Sequence, residues 1–200
     1  MRALNRYSTF LALDPEPYEG LPDRWYVRLM RPALGFVLRL KTRRGEPTPF
    51  SAEERQGPFA RIVNGFDGLP LGRSLRKILD EAWDFDGIPR RTKALVTAVI
   101  VRGLGDERVL SEARMLALEN GVNATDFDGA LAHFSAENLS EKEKIAIEFA
   151  RETIWYAPAP IQRRTRAFMG HFEIEELLDL VGFASFANLI ARLGVFAEPS

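Results

Sequence analysis

The sequence predicts an all-α fold, and three of its features support that prediction. Apolar residues recur at helical spacing through most of the chain between residues 71 and 193. Several of these stretches open on a capping residue, such as Asp106 or Ser140, and one ends at Gly121. Residues 94–101 are β-branched enough to suit a buried strand instead, but no second strand of similar strength is present to pair with it. We therefore predict a buried helix there.

Composition limits the classes of protein that the chain can belong to. Of its 200 residues, 46% are hydrophobic and 28% are charged, so we expect a folded core with little disorder. The 27 basic and 28 acidic residues give a net charge of -1, which argues against nucleic-acid binding through a basic surface. The chain has no cysteine, which excludes disulfides, thiol catalysis and thiolate metal sites, and its only histidines are His133 and His171. We expect no metal and no cofactor.

The first 49 residues form a unit that we separate from residues 50–200. Residues 1–23 are rich in proline and acids and indicate an extended arm. Residues 25–40 carry apolar residues at helical spacing with basic residues between them, and the basic run continues to Arg44. Such a helix can lie on an anionic membrane. We favour packing on the core or on a partner subunit, because Pro32 and Gly35 interrupt the apolar face.

In residues 50–200 the sequence first predicts a helix start, an amphipathic helix and the central buried helix. Ser51 with the acids that follow it indicates a helix start, and a clear amphipathic helix spans residues 71–83. The buried helix at 94–101 then leaves through Gly103 and Gly105, and Asp106 caps the next helix, which ends at Gly121.

The C-terminal half predicts four further helices. Thr125 is expected to cap a short helix, and Ser140 with Glu143 forms a capping box for a helix that runs to Trp155. Residues 161–169 form a turn and a helix. Residues 173–193 are the longest periodic segment and are apolar on two faces, so we expect this helix at the centre of the fold or at a subunit contact.

Residues 71–196, a little over half of the chain, resemble the carboxymuconolactone decarboxylase superfamily, specifically its alkylhydroperoxidase D-like branch. The resemblance rests on the order of several short motifs: Leu79-Asp-Glu-Ala-Trp, Gly87-Ile-Pro-Arg-Arg-Thr-Lys-Ala-Leu-Val, Gly103-Leu-Gly, Ser111-Glu-Ala-Arg, Asn120-Gly, Leu139-Ser-Glu-Lys-Glu-Lys and Phe186-Ala-Asn-Leu-Ile-Ala-Arg-Leu-Gly. It implies an alkylhydroperoxidase D-like helical bundle and a homo-oligomer.

The catalytic groups of that family do not carry over. Its peroxidase members place Cys-x-x-Cys-x-x-x-His on the second helix of the corner, and these positions fall on Asp106, Val109 and Ala113. The carboxylate of the preceding helix falls near Ala94. A carboxylate does not cycle through sulfenic acid and disulfide, so the resemblance does not extend to peroxidase activity. The decarboxylase branch also matches poorly, because its active-site histidine falls on Ala113 as well.

Charged residues near the corner are the remaining candidates for chemistry. Asp106, Glu112 and Arg102 are candidate catalytic residues, with Glu107 and Lys93 predicted nearby, because buried acids with raised pKa values can do acid–base work. The simpler interpretation is that Asp106 only caps its helix while Glu107, Glu112 and Arg102 are solvated or form surface ion pairs. We expect both histidines to serve packing or a helix C-terminus.

Three functions stay open on this basis. The first is a cytoplasmic, oligomeric binding or assembly protein that associates with itself and has room for a small-molecule ligand. The second is an enzyme, a lyase or hydrolase on a small organic substrate, that uses the carboxylates of residues 102–113. The third is a membrane-surface binder through residues 24–44, which we consider the weakest. Cytoplasmic location is expected because no apolar run reaches about 18 residues and no signal-peptide pattern follows Arg2.

Overall fold

The computed structural model describes residues 49–154 and 158–194, and all regular structure within these two stretches is helical. The predicted all-α class is confirmed for this part of the chain. The predicted arm, the basic helix at residues 25–40 and Trp155 lie outside the described residues. The helices are α1 (Ala60–Val63), α2 (Pro70–Asp84), α3 (Arg90–Leu104), α4 (Glu107–Glu119), α5 (Ala124–His133), α6 (Glu141–Thr153), α7 (Pro158–Phe168) and α8 (Ile174–Gly194), with a 3-10 turn at Asn64–Phe66.

Helix α3 is the centre of the fold. It packs against α4, α6 and α8, and every residue from Thr92 to Val101 is buried. An α-helix satisfies its own backbone hydrogen bonds, so a β-branched run can be buried on all sides without a strand partner. The Thr97 hydroxyl is satisfied in the same way, because it donates to the Lys93 carbonyl at 3.0 Å. The prediction of a buried helix over residues 94–101 is confirmed.

The corner between α3 and α4 forms as predicted. Gly105 adopts a left-handed conformation with φ 78°, and its N–H donates to the Val101 carbonyl to end α3. Asp106 Oδ1 then accepts from the backbone N–H groups of Arg108 at 3.1 Å and Val109 at 3.3 Å. These bonds satisfy two of the donors that a helix start leaves open, so the direction of α4 is set locally.

Two of the predicted N-caps have different outcomes. The capping box at Ser140 is confirmed, since Glu143 N–H donates to Ser140 Oγ at 3.2 Å and Ser140 N–H donates to Glu143 Oε2 at 2.8 Å. The cap of α5 is Asn123 rather than Thr125, so that prediction was wrong by two residues. Asn123 has the extended backbone that a cap requires, and its Oδ1 accepts from Asp126 N–H at 2.7 Å. Thr125 is already inside the helix.

The predicted helix start at Ser51 is only a turn. Ser51 and Glu54 do exchange the two hydrogen bonds of a capping box, at 2.6 Å and 3.2 Å. No helix follows until Ala60, because Pro58 disfavours helical backbone at Gly57 and Phe59 adopts a left-handed φ of 59°. A local capping pattern is therefore present without the helix that it usually opens.

Candidate functional site

The exposed pair at the corner joins Arg102 and Glu107. Their Nη1 and Oε1 atoms are 3.6 Å apart, and the two side chains are 47% and 77% exposed. Ion pairs at this exposure contribute little to stability. The interpretation of Arg102 and Glu107 as surface residues is thus confirmed.

Asp106 lies at the same corner but is buried. Its Oδ1 caps α4, while its Oδ2 has no hydrogen-bond partner. The end of α8 closes over this oxygen, because a Cβ placed on Gly194 would lie 2.7 Å from Oδ2. Arg108 Nη2 donates to the Gly194 carbonyl at 2.9 Å and holds the two segments together. Asp106 therefore fixes the corner against α8, with no opening toward a ligand among these contacts.

Glu112 is the candidate that the simpler interpretation placed wrongly. It is not solvated, because only 5% of the residue is exposed. Its Oε1 accepts a long 3.4 Å hydrogen bond from Arg61 N–H, and its Oε2 has no partner. Burial raises the pKa of Glu112 above 4.5, although the Arg61 backbone and the charges of Arg61 and Arg76 lower it in part. The free-energy cost of desolvating the charged carboxylate is larger than the stabilisation from these contacts, so the net effect on the pKa is upward.

A buried arginine belongs to the surroundings of Glu112. Arg76 on α2 is 1% exposed and donates to Asp80 Oδ2 at 3.0 Å and to Asp80 Oδ1 at 2.5 Å. Its Nη1 has no partner. Gly57 leaves room for the guanidinium, since a Cβ there would lie 2.8 Å from Arg76 Cζ. Sequence reasoning missed Arg76, because an arginine beside apolar residues on an amphipathic helix gives no sign of whether it faces inward.

The candidate residues do not share one site. Asp106 faces the end of α8, whereas Glu112 faces α1 and α2. Lys93, which was predicted near the corner, lies at the other end of α3, nine residues before Arg102 and roughly 14 Å away along the helix axis. The prediction that Lys93 lies near the corner was wrong, because the rise of the helix places the two residues at opposite ends of α3.

Lys93 instead forms a buried ion pair that sequence reasoning did not predict. Its Nζ lies 3.1 Å from Asp179 Oδ2, and the side chains are 0% and 5% exposed. The ammonium also donates to the carbonyls of Ala82 at 2.7 Å and Phe85 at 2.5 Å, where α2 ends. Asp179 Oδ2 accepts from Ile88 N–H at 2.8 Å. This pair therefore joins the end of α2, the start of α3 and α8.

An open groove lies at each end of α3. The groove beside the corner has a volume of about 410 Å³ and contains two arginines, each paired with an acid: Arg102 with Glu107, and Arg114 with Asp128 at 3.0 Å. The other, also about 410 Å³, is lined in part by Arg91, Lys142 and Phe172. The positive charges in these grooves are largely neutralised by neighbouring acids, so neither groove selects an anionic ligand by charge alone.

Packed apolar side chains fill the positions that carry catalytic groups in the family that the sequence resembles. Val109 is 1% exposed, and Ala94 and Ala113 are 0% exposed. Val109 also lies against α8, because a Cβ on Gly194 would be 2.9 Å from Val109 Cγ2. These three residues have no titrating group. His133 and His171 are exposed, and the described residues contain no cluster of three His, Asp or Glu side chains arranged for a metal ion.

The outer face of α8 is apolar although it is exposed. It consists of Ile174, Leu178, Val181 and Leu189, which are 75%, 67%, 39% and 43% exposed. The opposite face of the same helix is buried and includes Leu180, Phe183 and Ala187. The helix is long and apolar enough to cross a membrane by length and composition, but half of it is buried inside the fold. It packs as a core helix that keeps a second apolar face outside.

The chain matches no family model, no curated protein and no solved structure. A function for this chain must therefore be argued from its own surfaces and buried groups.

Proposed function

We propose that this chain is a thiol-less protein of the alkylhydroperoxidase D-like type, without peroxidase activity, that acts as an oligomeric binding or assembly protein. The helical class and the α3–α4 corner agree with that family resemblance. The absence of cysteine from the sequence, together with apolar Val109 and Ala113, leaves no group for its redox chemistry.

The outer face of α8 is the observation that carries the proposal. A helix that is apolar all round is normally buried, and α8 is buried on one side only. Clustered exposed apolar residues on soluble proteins usually mark a contact with another molecule. Leu178 and Val181 lie on one turn of this face, with Ile174 one turn earlier. Self-association covers such a face without requiring any further molecule.

Light scattering after size exclusion tests the proposal. At micromolar concentration we expect the mass of a dimer or a larger oligomer. Leu178→Glu places a charge on the outer face and should yield a monomer, because the carboxylate would be buried without a partner. Met115→Glu is the matched control, since Met115 is 44% exposed on α4 and should tolerate the charge. A monomeric wild-type protein would overturn the proposal.

A second candidate function is an enzyme that uses Glu112 as a general base to activate water. The supporting observation is a buried carboxyl with a raised pKa and one oxygen without a partner. This function requires α1 to move, because the group is 5% exposed. Hydrolysis of an activated ester, p-nitrophenyl acetate, is the test: turnover lost in Glu112→Gln and kept in Met115→Glu would support it. Equal rates in all three proteins would remove Glu112 from any such mechanism.

The proposed absence of peroxidase activity has its own measurement. Consumption of hydrogen peroxide with dithiothreitol as donor should equal that of the buffer, because no thiolate is available to be oxidised. Consumption that depends on the folded protein would contradict the proposal at its chemical step and leave the association test unaffected.

A further inference from the structure

One row of residues along the exposed side of α8, which includes Leu178 and Leu189 of the outer face, reads similarly in both directions. Successive positions of this row alternate between three and four residues apart, which keeps them on one side of the helix. In chain order they are Glu175, Leu178, Gly182, Ser185, Leu189 and Arg192. Reversing the helix places the leucines on each other, the two small residues on each other and the acid on the base. A surface with this property is complementary to a second copy of itself.

We propose that two copies of this chain pack α8 against α8 in antiparallel orientation, about a two-fold axis at the level of the Phe183–Ala184 peptide bond. This arrangement rests on the proposed function, because it specifies how the self-association occurs. Each Leu178 packs against Leu189 of the partner subunit, and each Gly182 lies against Ser185 of the partner subunit. The contact is isologous, so the same patch serves both copies and the assembly closes.

The middle of the face allows close approach of the two helices. No atom lies within 4 Å of a Cβ placed on Gly182, so this side of the helix is open. Ser185 is exposed, and its hydroxyl already donates to the Val181 carbonyl at 2.9 Å. Covering Ser185 therefore leaves no donor without a partner, which is the usual cost of burying a hydroxyl. Interaxial distance between packed helices depends on side-chain size at the contact, and these two residues are small.

The leucines give the contact its apolar area. Leu178 and Leu189 are 67% and 43% exposed. Because the contact is two-fold symmetric, the dimer covers both leucines of each copy. Burying a leucine side chain fully contributes about 1.5–3 kcal/mol. Val181 and Ile174, the other two apolar residues of the outer face, lie beside this row and add apolar area to the leucines.

The ends of the face favour the antiparallel orientation. Glu175 lies in the first turn of α8 and Arg192 in the last turn. An antiparallel pair brings each acidic end to the basic end of the partner, whereas a parallel pair brings like charges together. Arg192 Nη2 also donates to the Ile154 carbonyl at 3.2 Å, so the side chain is held at the end of α6. Helix dipoles add a small contribution in the same sense.

Three other arrangements would also cover this face, and none of them gives a cross-linked dimer that forms only on mixing the two variants. A second copy in parallel orientation brings Leu178 to Leu178. Residues 1–48 of the same chain would cover the face within a monomer. An anionic or neutral bilayer would bind the helix without any pairing of protein chains, as its length and composition permit.

Disulfide cross-linking between chains that each carry one new cysteine tests the orientation, because the natural sequence has none. Leu178→Cys and Leu189→Cys are prepared separately, mixed and oxidised. We expect a cross-linked dimer only in the mixture. Within the antiparallel pair, like positions lie eleven residues apart along the axis, roughly 16 Å. A disulfide requires Cα atoms within about 7 Å.

The outcomes separate the orientation from the proposed function. Each variant alone should give less than about a tenth of the cross-linked product of the mixture. Self-linking of each variant, with no gain on mixing, would overturn the antiparallel orientation while keeping the dimer. A wild-type protein that scatters as a monomer would overturn both proposals. Met115→Cys mixed with Leu178→Cys reports cross-links from random collision, and circular dichroism verifies that each variant is folded.

Discussion

The two ends of α3 both bury charge, but they satisfy it to different degrees. At the N-terminal end, Lys93 lies 3.1 Å from Asp179 and donates to carbonyls at the end of α2. Neither side chain has a buried polar atom without a partner. Beyond the C-terminal end, α4 buries Asp106 and Glu112, and each keeps one oxygen without a partner.

The difference separates a structural use of charge from a chemically responsive one. A buried ion pair with all its partners serves the fold, because removing either member of the pair is costly. At Glu112 burial disfavours the charged carboxylate and raises the pKa. The N-terminal end of α3 is therefore expected to matter for stability, and the surroundings of Glu112 for pH dependence.

The largest effect is expected from Lys93→Met. The substitution removes the hydrogen bonds to the α2 carbonyls and leaves Asp179 charged and buried, so we expect a loss of about 3–5 kcal/mol in the free energy of unfolding. Urea unfolding at one fixed protein concentration measures it, because self-association would otherwise shift the midpoint. Lys77→Met is the matched control on α2: Lys77 is 77% exposed, 3.8 Å from Glu81, and its removal should cost less than about 0.5 kcal/mol.

The double variant Lys93→Met/Asp179→Leu tests whether the cost comes from the uncompensated carboxylate. It should be more stable than Lys93→Met, because Asp179 no longer leaves an unpaired carboxylate in the core. If the free energy of unfolding of Lys93→Met lies within about 1 kcal/mol of the wild-type value, the ion pair at the N-terminal end of α3 does not dominate stability as expected.

A smaller effect with a defined pH dependence is expected from Glu112→Gln. The pKa of Glu112 is raised by burial, so the folded state binds the proton more tightly than the unfolded state, whose pKa is near 4.5. This contribution to stability is complete below pH 4.5 and is lost as the pH rises through the pKa of the folded state. Gln does not titrate. We therefore expect the variant to gain stability relative to wild type as the pH rises from about 4 to about 8.

Urea unfolding of both proteins at the two pH values measures that gain. Glu107→Gln is the control on the same helix, because Glu107 is 77% exposed and its surface ion pair contributes little to stability. A stability difference between Glu112→Gln and wild type that does not change with pH would show that the carboxyl is paired in solution. The contrast between the two ends of α3 would then disappear.

The parts of the fold that were predicted from the sequence are those fixed by neighbours along the chain. Asp106, Gly105 and Ser140 act on backbone groups within four residues, so their roles follow from local patterns. The cap at Thr125 was wrong because Asn123 offers the same hydrogen bond two residues earlier. Local patterns identify the kind of end a helix has more reliably than the residue at which it begins.

The parts that were not predicted depend on contacts between distant segments. Nothing in the pattern of α3 indicates that Lys93 meets Asp179 on α8, since a lysine at the start of a helix is normally solvated. Arg76 and Glu112 are likewise polar positions of amphipathic helices until α1 and α2 cover them. The outer face of α8 was predicted as one of two apolar faces, but which residues remain outside became clear only from the packing.

The smallest effect of the three is expected at Asp106, where the two carboxyl oxygens have opposite consequences. Asp106→Ala removes the cap of α4, a loss of about 1 kcal/mol, but also removes a buried oxygen without a partner, which offsets part of it. We therefore expect a net cost of about 0.5 kcal/mol in urea unfolding. Asp106→Asn keeps the acceptor and should lie within a few tenths of wild type. If Asp106→Asn lowers the free energy of unfolding as much as Asp106→Ala does, the negative charge of Asp106 stabilises the corner. The corner would then resemble the N-terminal end of α3, where buried charge contributes to stability.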